Sequence, residues 1–543
     1  MKQLYSVISV LILTIAITFS HPFAYGKATV AKASVTLKKD SVGVDSVRIS
    51  QLDEVVVTAK EKVSPSTTSR IVRSAIAHLQ PTSFTDLLEL LPGNISRDPD
   101  MSSVNSITLR ETGTLDAQGN RYSSSDYAIT SLGTLFMVDG APINTDGGLQ
   151  SEGLTVSDAS SPAAAAISTN KGVDMRTIST DNIESVEIVR GIPSAEYGNL
   201  TSGVVNIKRI RRSTPFSFRF KADEHSKLFS AAKGVGFRGD KHIINFDLGF
   251  LDSKSDPRVL TDGYRRLTAS ARVNMKFSSE DVSTVWNYGL DYTGGLDKTR
   301  IDPDLNYNKI DEFRNTYSRT AFTSNLTVTL NPGNLVNIFH VATAASLEVN
   351  RLHRHKQVAL GRPTVAPTSM QPGESLGTYL PGEYMADYLS DGRPFSFFLK
   401  GMARGSHNWG ITAHTYKAGF EWTAAKNFGK GQVYDLTRPI SGSWTTRPRE
   451  YKEIPALHVL NFFIEDDIHI PFAGNLIELQ AGMRTIQLPH IDSRYYLHGR
   501  VFLDPRVNLL WNLPHWQAGG KDFNIYFGAG YGLTTRMPTT DYL

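Results

Sequence analysis

From Ser213 to Leu543 the chain alternates apolar and polar side chains with period two, in segments of about 10 residues. Ile244, Phe246, Leu248 and Phe250 interleave with Asn245, Asp247 and Gly249, and Phe322, Leu326, Val328 and Leu330 with Thr323, Asn325, Thr327 and Thr329. Ile477, Leu479, Ala481 and Met483 do the same with Glu478, Gln480, Gly482 and Arg484, as do Phe523, Ile525, Phe527 and Tyr531 with Asn524, Tyr526, Gly528 and Gly532. Successive side chains of a strand point to opposite faces, so each segment carries one apolar and one polar face. Turn signals such as Asn331-Pro332-Gly333-Asn334 separate them. Two architectures use such strands. A membrane barrel turns the apolar face to lipid, whereas a soluble sandwich or adhesin buries it between sheets. Alternation alone does not choose between them.

The N-terminus narrows the choice. Lys2 precedes the apolar run Val7 to Phe19, broken only by Ser9, Thr14 and Thr18. That run is too short for a spanning helix, which needs roughly 20 residues, and fits a secretory h-region. Ala24-Tyr25-Gly26 supplies small residues for cleavage, so residues 1–26 read as a signal peptide and the mature chain starts near Lys27. No later stretch reaches about 18 uncharged apolar residues, so an exported chain of this kind crosses a membrane only with strands. A net charge of +4, from 57 basic and 53 acidic residues in 543, gives no electrostatic footprint for nucleic acid. The absence of cysteine excludes a disulfide framework and thiolate metal sites.

Between these ends lie three further zones. Residues 27–53 are polar and read as a flexible tail. Residues 54–60 hold the β-branched run Val55-Val56-Val57-Thr58, either an edge strand or an extended segment for a partner's sheet to capture. Residues 61–212 read as mixed α/β. Thr82 and Ser83 are N-cap candidates for a helix over Phe84 to Leu91, stopped by Pro92-Gly93. Leu135 to Val138 reads as a buried strand entering a turn at Asp139-Gly140. Ile183 to Gly191 mixes helical and strand periods, which predicts a helix end flowing into a strand, and 151–166 and 170–181 read as loops.

Four motifs in this order resemble the TonB-dependent outer-membrane receptor family. Glu54-Val55-Val56-Val57-Thr58-Ala59 resembles its TonB box. Asp86-Leu87-Leu88-Glu89-Leu90-Leu91-Pro92-Gly93 resembles the first helix of its plug domain, and Phe136-Met137-Val138-Asp139-Gly140-Ala141-Pro142-Ile143 the strand and turn that follow. Ile183 to Gly191, then Ala195-Glu196-Tyr197-Gly198 and Gly203-Val204-Val205-Asn206-Ile207, resemble the end of the plug. Phe463-Ile464-Glu465-Asp466-Asp467 and Leu503-Asp504-Pro505-Arg506-Val507-Asn508-Leu509 look like barrel strands of the family.

The resemblance implies a mixed α/β plug inside a transmembrane antiparallel β-barrel, in the outer membrane of a Gram-negative bacterium. It implies active, proton-gradient-driven import of a scarce ligand, by default an iron-siderophore, with residues Glu54, Val55, Val56, Val57, Thr58 and Ala59 pairing with TonB and its inner-membrane motor complex. The other implied partners are outer-membrane lipid, a small extracellular ligand and, optionally, a surface lipoprotein beside a monomeric barrel; no cofactor is implied. In the family, plug arginines pair with barrel glutamates. Arg110 and Arg190 match such positions, and Glu421 and Glu465 are the barrel candidates. Arg110 precedes Glu111 where the family usually has glycine, and a loop charge is the alternative for both arginines. Gly140, Gly191, Gly198 and Gly203 are read as plug turns, where a Cβ would clash or φ be positive. A soluble or surface-displayed binding protein is the competing reading.

Other motifs carry less. Gly234-Val235-Gly236-Phe237-Arg238-Gly239 satisfies a dinucleotide pattern but leads into alternating residues, which makes it a hairpin. His353 and His355 flank Arg354 as a solvated charged stretch, without a third ligand for a metal. No hydrolase, zinc-protease or P-loop motif occurs, so an enzyme is not expected. The zone 213–543 holds about 14 candidate strands at roughly 24 residues each, against about 22 in plugged barrels, so the chain reads as the first part of such a receptor.

Overall fold

A computed structural model describes residues 59–91, 132–148, 172–331, 334–369, 373–441, 450–513 and 516–540 with short internal omissions, together with Met101, Val104, Ile107, Leu109 and Leu543. The segments Glu54 to Thr58 and Arg110, singled out above, lie outside the described residues.

The first part is a six-stranded mixed sheet: β1 (Lys60–Lys62), β2 (Thr68–Val72), β3 (Thr134–Val138), β4 (Ala141–Pro142), β5 (Ile183–Val189) and β6 (Gly203–Arg209). Its order is β1-β2-β5-β6-β3-β4, with β3 parallel to β6 and the other pairs antiparallel. Helices α1 (Arg73–Leu79) and α2 (Phe84–Leu88) follow β2. The core gathers Ile71, Ile76, Phe84, Leu87, Phe136, Ile183, Val186, Ile188, Val205 and Ile207, all nearly inaccessible to solvent.

Helix α2 starts where its capping residues dictate. The Ser83 hydroxyl accepts from the Thr85 N–H, and the Asp86 carboxylate accepts from the Thr82 and Ser83 N–H groups at 2.7 and 3.0 Å. The segment Ile183 to Val189 is strand throughout, with no helical entry. Burial on both faces accounts for its ambiguous period: Ile183, Val186, Ile188 and Val189 sit in a central strand between β2 and β6, where strict alternation is not required.

The second part is a wall of long antiparallel strands. It opens with β7 (Thr214–Ala222), β8 (Ser226–Phe237), β9 (His242–Ser253), β10 (Gly263–Ser278), β11 (Val282–Arg300), β12 (Asp311–Leu330) and β13 (Ile338–Ala359). A hairpin, β14 (Val365–Pro367) and β15 (Gly377–Tyr379), precedes β16 (Glu383–Gly392), β17 (Pro394–Trp409), β18 (Thr412–Asn427) and β19 (Gly431–Tyr434). Then come β20 (Leu457–Phe472), β21 (Asn475–Gln487), β22 (Val501–Asn512), a second hairpin of β23 (Trp516–Ala518) and β24 (Lys521–Phe523), and β25 (Tyr526–Gly532). The main sheet has 15 strands, and among the described residues its outer strands β7 and β25 do not pair with each other. The Gly234 to Gly239 motif is the hairpin between β8 and β9, as expected from its alternating sequel.

Strand β13 changes partner along its length. Ile338 to Leu347 pair with β17, and Asn350 to Ala359 pair with β16, which in turn pairs with β19. Above the fork a separate core of Phe313, Leu352, Val358, Leu380, Tyr384, Tyr388 and Ile440 forms beside a buried Arg354–Asp311 ion pair at 3.0 Å.

The alternation of the wall is inverted relative to a soluble protein. On β9, Phe246, Leu248 and Phe250 are 40 to 60% exposed while Asn245 and Asp247 are buried. On β22, Leu503, Val507 and Leu509 face outward while Asp504, Arg506 and Asn508 are buried. A soluble sheet buries its apolar face, whereas a strand wall of the membrane-barrel type turns that face outward. The two-residue connection Gly410-Ile411 lies at the end where β7 begins, whereas the longest segments between neighbouring full-length strands, 360–393 and 428–456, which carry β14 to β16 and β19, lie at the other. No helix among the described residues is long and apolar enough to cross a membrane.

Candidate functional site

The first sheet rests against the polar face of the wall, and every buried charge at that junction must be matched, because an unpaired one is costly in a dry interior. Three clusters do the matching.

The turn Ser194 to Gly198 meets β17, β18, β20, β21 and β22. Glu465 accepts from the Ser194 hydroxyl at 2.9 Å and from the Ala195 N–H, and pairs with Lys417 at 2.9 Å. Glu196 pairs with Lys400 at 2.6 Å and Lys417 at 3.4 Å. Burial alone would raise the Glu196 carboxyl, but Lys400 and then Lys417 hold it down at about 2. Arg484 donates to the Glu196 carbonyl at 3.0 Å and pairs with Glu421 at 2.7 Å. Arg506 donates to the carbonyls of Ser194 and Tyr197 at 2.8 and 2.7 Å.

The second cluster lies at the β3–β4 turn. Asp139 and Gly140 both have positive φ, 49° and 83°, which a tight two-residue turn demands. The Asp139 carboxylate binds Arg209 at 2.7 Å and Arg211 at 2.9 Å. Burial opposes ionisation there, yet the two arginines keep this carboxyl well below the usual range. Arg209 also pairs with Asp291 of β11, so one guanidinium joins sheet to wall. Beside it Asn182 donates to Asp247 of β9 at 2.9 Å, and Arg272 of β10 pairs with the same carboxylate.

The third cluster centres on Arg176, buried on a single 3-10 turn. It pairs with Asp174 at 3.0 Å and with Asp297 of β11 at 2.9 Å, and stacks its guanidinium 4.6 Å from the Tyr264 ring centroid. Arg266 of β10 completes the anchor by donating to the Ile178 carbonyl at 2.9 Å. Between the second and third clusters a cavity of about 110 Å³ is lined by Arg209, Asp247, Asp291, Tyr317, Arg319 and Ser346 among others.

The residues singled out from sequence fall as follows. Ala59 is buried in the sheet's core and donates its N–H to the Leu90 carbonyl at 3.0 Å. Arg190 donates to the Ser69 hydroxyl at 2.8 Å, inside the first sheet. Glu421 and Glu465 both lie in the first cluster, Glu421 against a wall arginine and Glu465 against the Ser194-Ala195 turn. A Cβ at Gly191 would meet the Thr67 nitrogen at 2.6 Å, one at Gly203 the Val189 carbonyl oxygen at 2.5 Å, and one at Gly198 the Arg484 guanidinium. Sequence reasoning gave no site role to Arg176, Arg209 or Lys400, nor to Glu196, Arg484 and Arg506, which it met only inside motifs and alternating strands. Lys400, Arg484 and Arg506 stand at polar positions of alternating strands, a signal that marks inward-facing charge.

Residues 60–205 match the family model "TonB-dependent Receptor Plug Domain". No curated protein sequence matches the chain. Among solved structures, the RagAB peptide importer in its closed-closed state aligns with a TM-score of 0.50 at 9% identity, covering 88% of this chain and 61% of that one. The siderophore receptor PirA from Acinetobacter baumannii aligns at 0.49 and 14% identity, covering 83% and 61%. The unliganded ferric citrate transporter FecA aligns at 0.49 and 13%, also covering 83% and 61%. At 9% identity the likeness to the RagAB importer is one of fold alone. The chain spans about three fifths of the length of the structures it matches.

Proposed function

Residues 60–205 of this chain are a TonB-dependent receptor plug domain, and from that premise we propose that the protein imports a scarce ligand across the outer membrane, driven through TonB by the inner-membrane proton gradient. The observation that carries the proposal is the plug's attachment to the charged face of a wall whose other face is apolar. That arrangement separates a movable polar interior from lipid, which a soluble binding or adhesion protein has no use for. Transport of this kind breaks no bond.

In this reading residues 1–26 direct export, 27–53 are a periplasmic tail, 54–60 are the segment TonB captures by strand addition, 61–212 are the plug and 213–543 are barrel. The wall end with long connections faces outward and the end where β7 begins faces the periplasm. The ligand we propose is a ferric siderophore, the family's commonest cargo, with a surface lipoprotein an optional partner.

The test is uptake of a labelled ferric siderophore by cells carrying the intact gene. Val56→Pro removes a backbone donor from the captured segment and should abolish uptake while leaving outer-membrane insertion and ligand binding unchanged. Undiminished uptake by that variant would sink the energised-transport reading. Failure of siderophores to bind, with peptides binding instead, would overturn the ligand alone.

A further inference from the structure

Helices α1 and α2 are neighbours in the chain but are supported differently. Helix α1 has seven residues, no side-chain cap at Val72 and no acidic residue in its first turn, and only Ala75 and Ile76 of it are buried. Isolated helices shorter than about 12–15 residues are marginal, so α1 depends on what it packs against. That is β2 and β5, with Arg73 donating to the Asp181 and Ile183 carbonyls at 3.1 and 3.0 Å. Helix α2 carries its own capping box.

Between the two runs Gln80-Pro81-Thr82, and there the wall takes hold. Arg219 of β7 donates to the Gln80 and Pro81 carbonyls at 3.0 and 2.8 Å and pairs with Asp181 at 2.6 Å. Lys221, on the same face of the strand, donates to the Gln80 carbonyl at 3.1 Å and to the Thr82 hydroxyl at 2.8 Å. From within the plug the Thr180 hydroxyl donates to the Pro81 carbonyl at 3.1 Å. Carbonyls at a helix C-terminus carry the negative end of its dipole, so two cations there make charge-assisted contacts. Gln80 has a φ of 49°, a backbone state that a residue with a side chain keeps only where its surroundings fix it. The alternate residues of β7, Phe216, Phe218 and Phe220, are exposed on its other face, so the clamp stands on a strand of the wall itself.

We propose that Arg219 and Lys221 are positioning residues that set how much of the plug TonB withdraws: residues 59–79 leave, and the chain from Gln80 onward stays on the wall. Once β2 departs, α1 keeps too few partners to remain, whereas the next three residues answer to β7. The clusters at Asp139, Arg176 and Glu196 lie beyond the boundary in the chain and keep their wall partners. A passage then opens beside β5 without loss of the plug, and reclosing needs only β1, β2 and α1 to return. This inference rests on the TonB-driven reading above.

The chain has no cysteine, so single cysteines report without background. Ala75→Cys and Leu87→Cys put buried reporters before and after the boundary. They are read with a maleimide small enough to enter the periplasm, in cells given a ferric siderophore, with and without TonB. With TonB, A75C is labelled and L87C is spared. Adding R219Q/K221Q raises TonB-dependent labelling of L87C by about tenfold, while R219K/K221R, which keeps both donors, spares it. Equal TonB-dependent labelling of A75C and L87C without further change overturns this inference alone, as does protection of L87C in R219Q/K221Q. Labelling of L87C in R219Q/K221Q that is the same without TonB makes the pair merely structural and also overturns it. No TonB-dependent labelling of A75C overturns the energised-transport reading with it.

Discussion

At Glu196 two lysines converge on one partly buried carboxylate, and the consequence is a pH-dependent attachment of plug to wall. The folded carboxyl titrates at about 2, below an unfolded value of roughly 4.3, so its contribution is complete above that unfolded value and is lost as pH falls toward 2. Glu196→Gln leaves Lys400 buried without its partner, and should destabilise plug docking by roughly 3 kcal/mol at neutral pH. Hydrogen exchange over residues 183–209 checks this, with the difference from wild type shrinking near pH 2. A difference that holds at pH 2 would refute the charge explanation. Gly198 shows what sequence could and could not say at this scale. A turn was legible, but its φ is not positive; the residue is glycine because Arg484 lies across it, a contact between positions far apart in the chain. Pairing across such distances leaves no local periodicity to read.

At the scale of elements, legibility follows the source of the constraint. Helix α2 was visible because its signal is local: Ser83 and Asp86 satisfy its first N–H groups wherever the chain sits. Ser83→Ala should therefore cost about 1 kcal/mol and raise amide exchange within Phe84 to Leu88 without disturbing the wall. Strand β5 was misread because its neighbours on both sides, not its own pattern, make it a strand. The wall strands were readable by alternation, but the sign of that alternation was not. Only burial of Asp247, Arg484 and Asp504 beside exposed Leu248, Met483 and Leu503 shows which face meets protein.

At the scale of the molecule, that inversion predicts how the protein responds to charge. Leu248→Arg on the outward face should reduce stability in a bilayer by about 2–4 kcal/mol, measured by reversible unfolding from vesicles. The same leucine replaced by valine should be nearly neutral. An equal effect for both would mean the outer face does not contact lipid. The same view gives the three-residue pairing of β1 with β2 a mechanical meaning. A pull applied N-terminal to Ala59 first loads its bond to Leu90, then the open end of the hairpin at Lys60 and Arg70, then Glu61 with Ser69 and Lys62 with Thr68. The load reaches these contacts one after another instead of shearing them together. The first stage of extraction therefore needs little force, and resistance rises only when tension arrives at β2, held along its whole length by β5 from Thr68 to Val72.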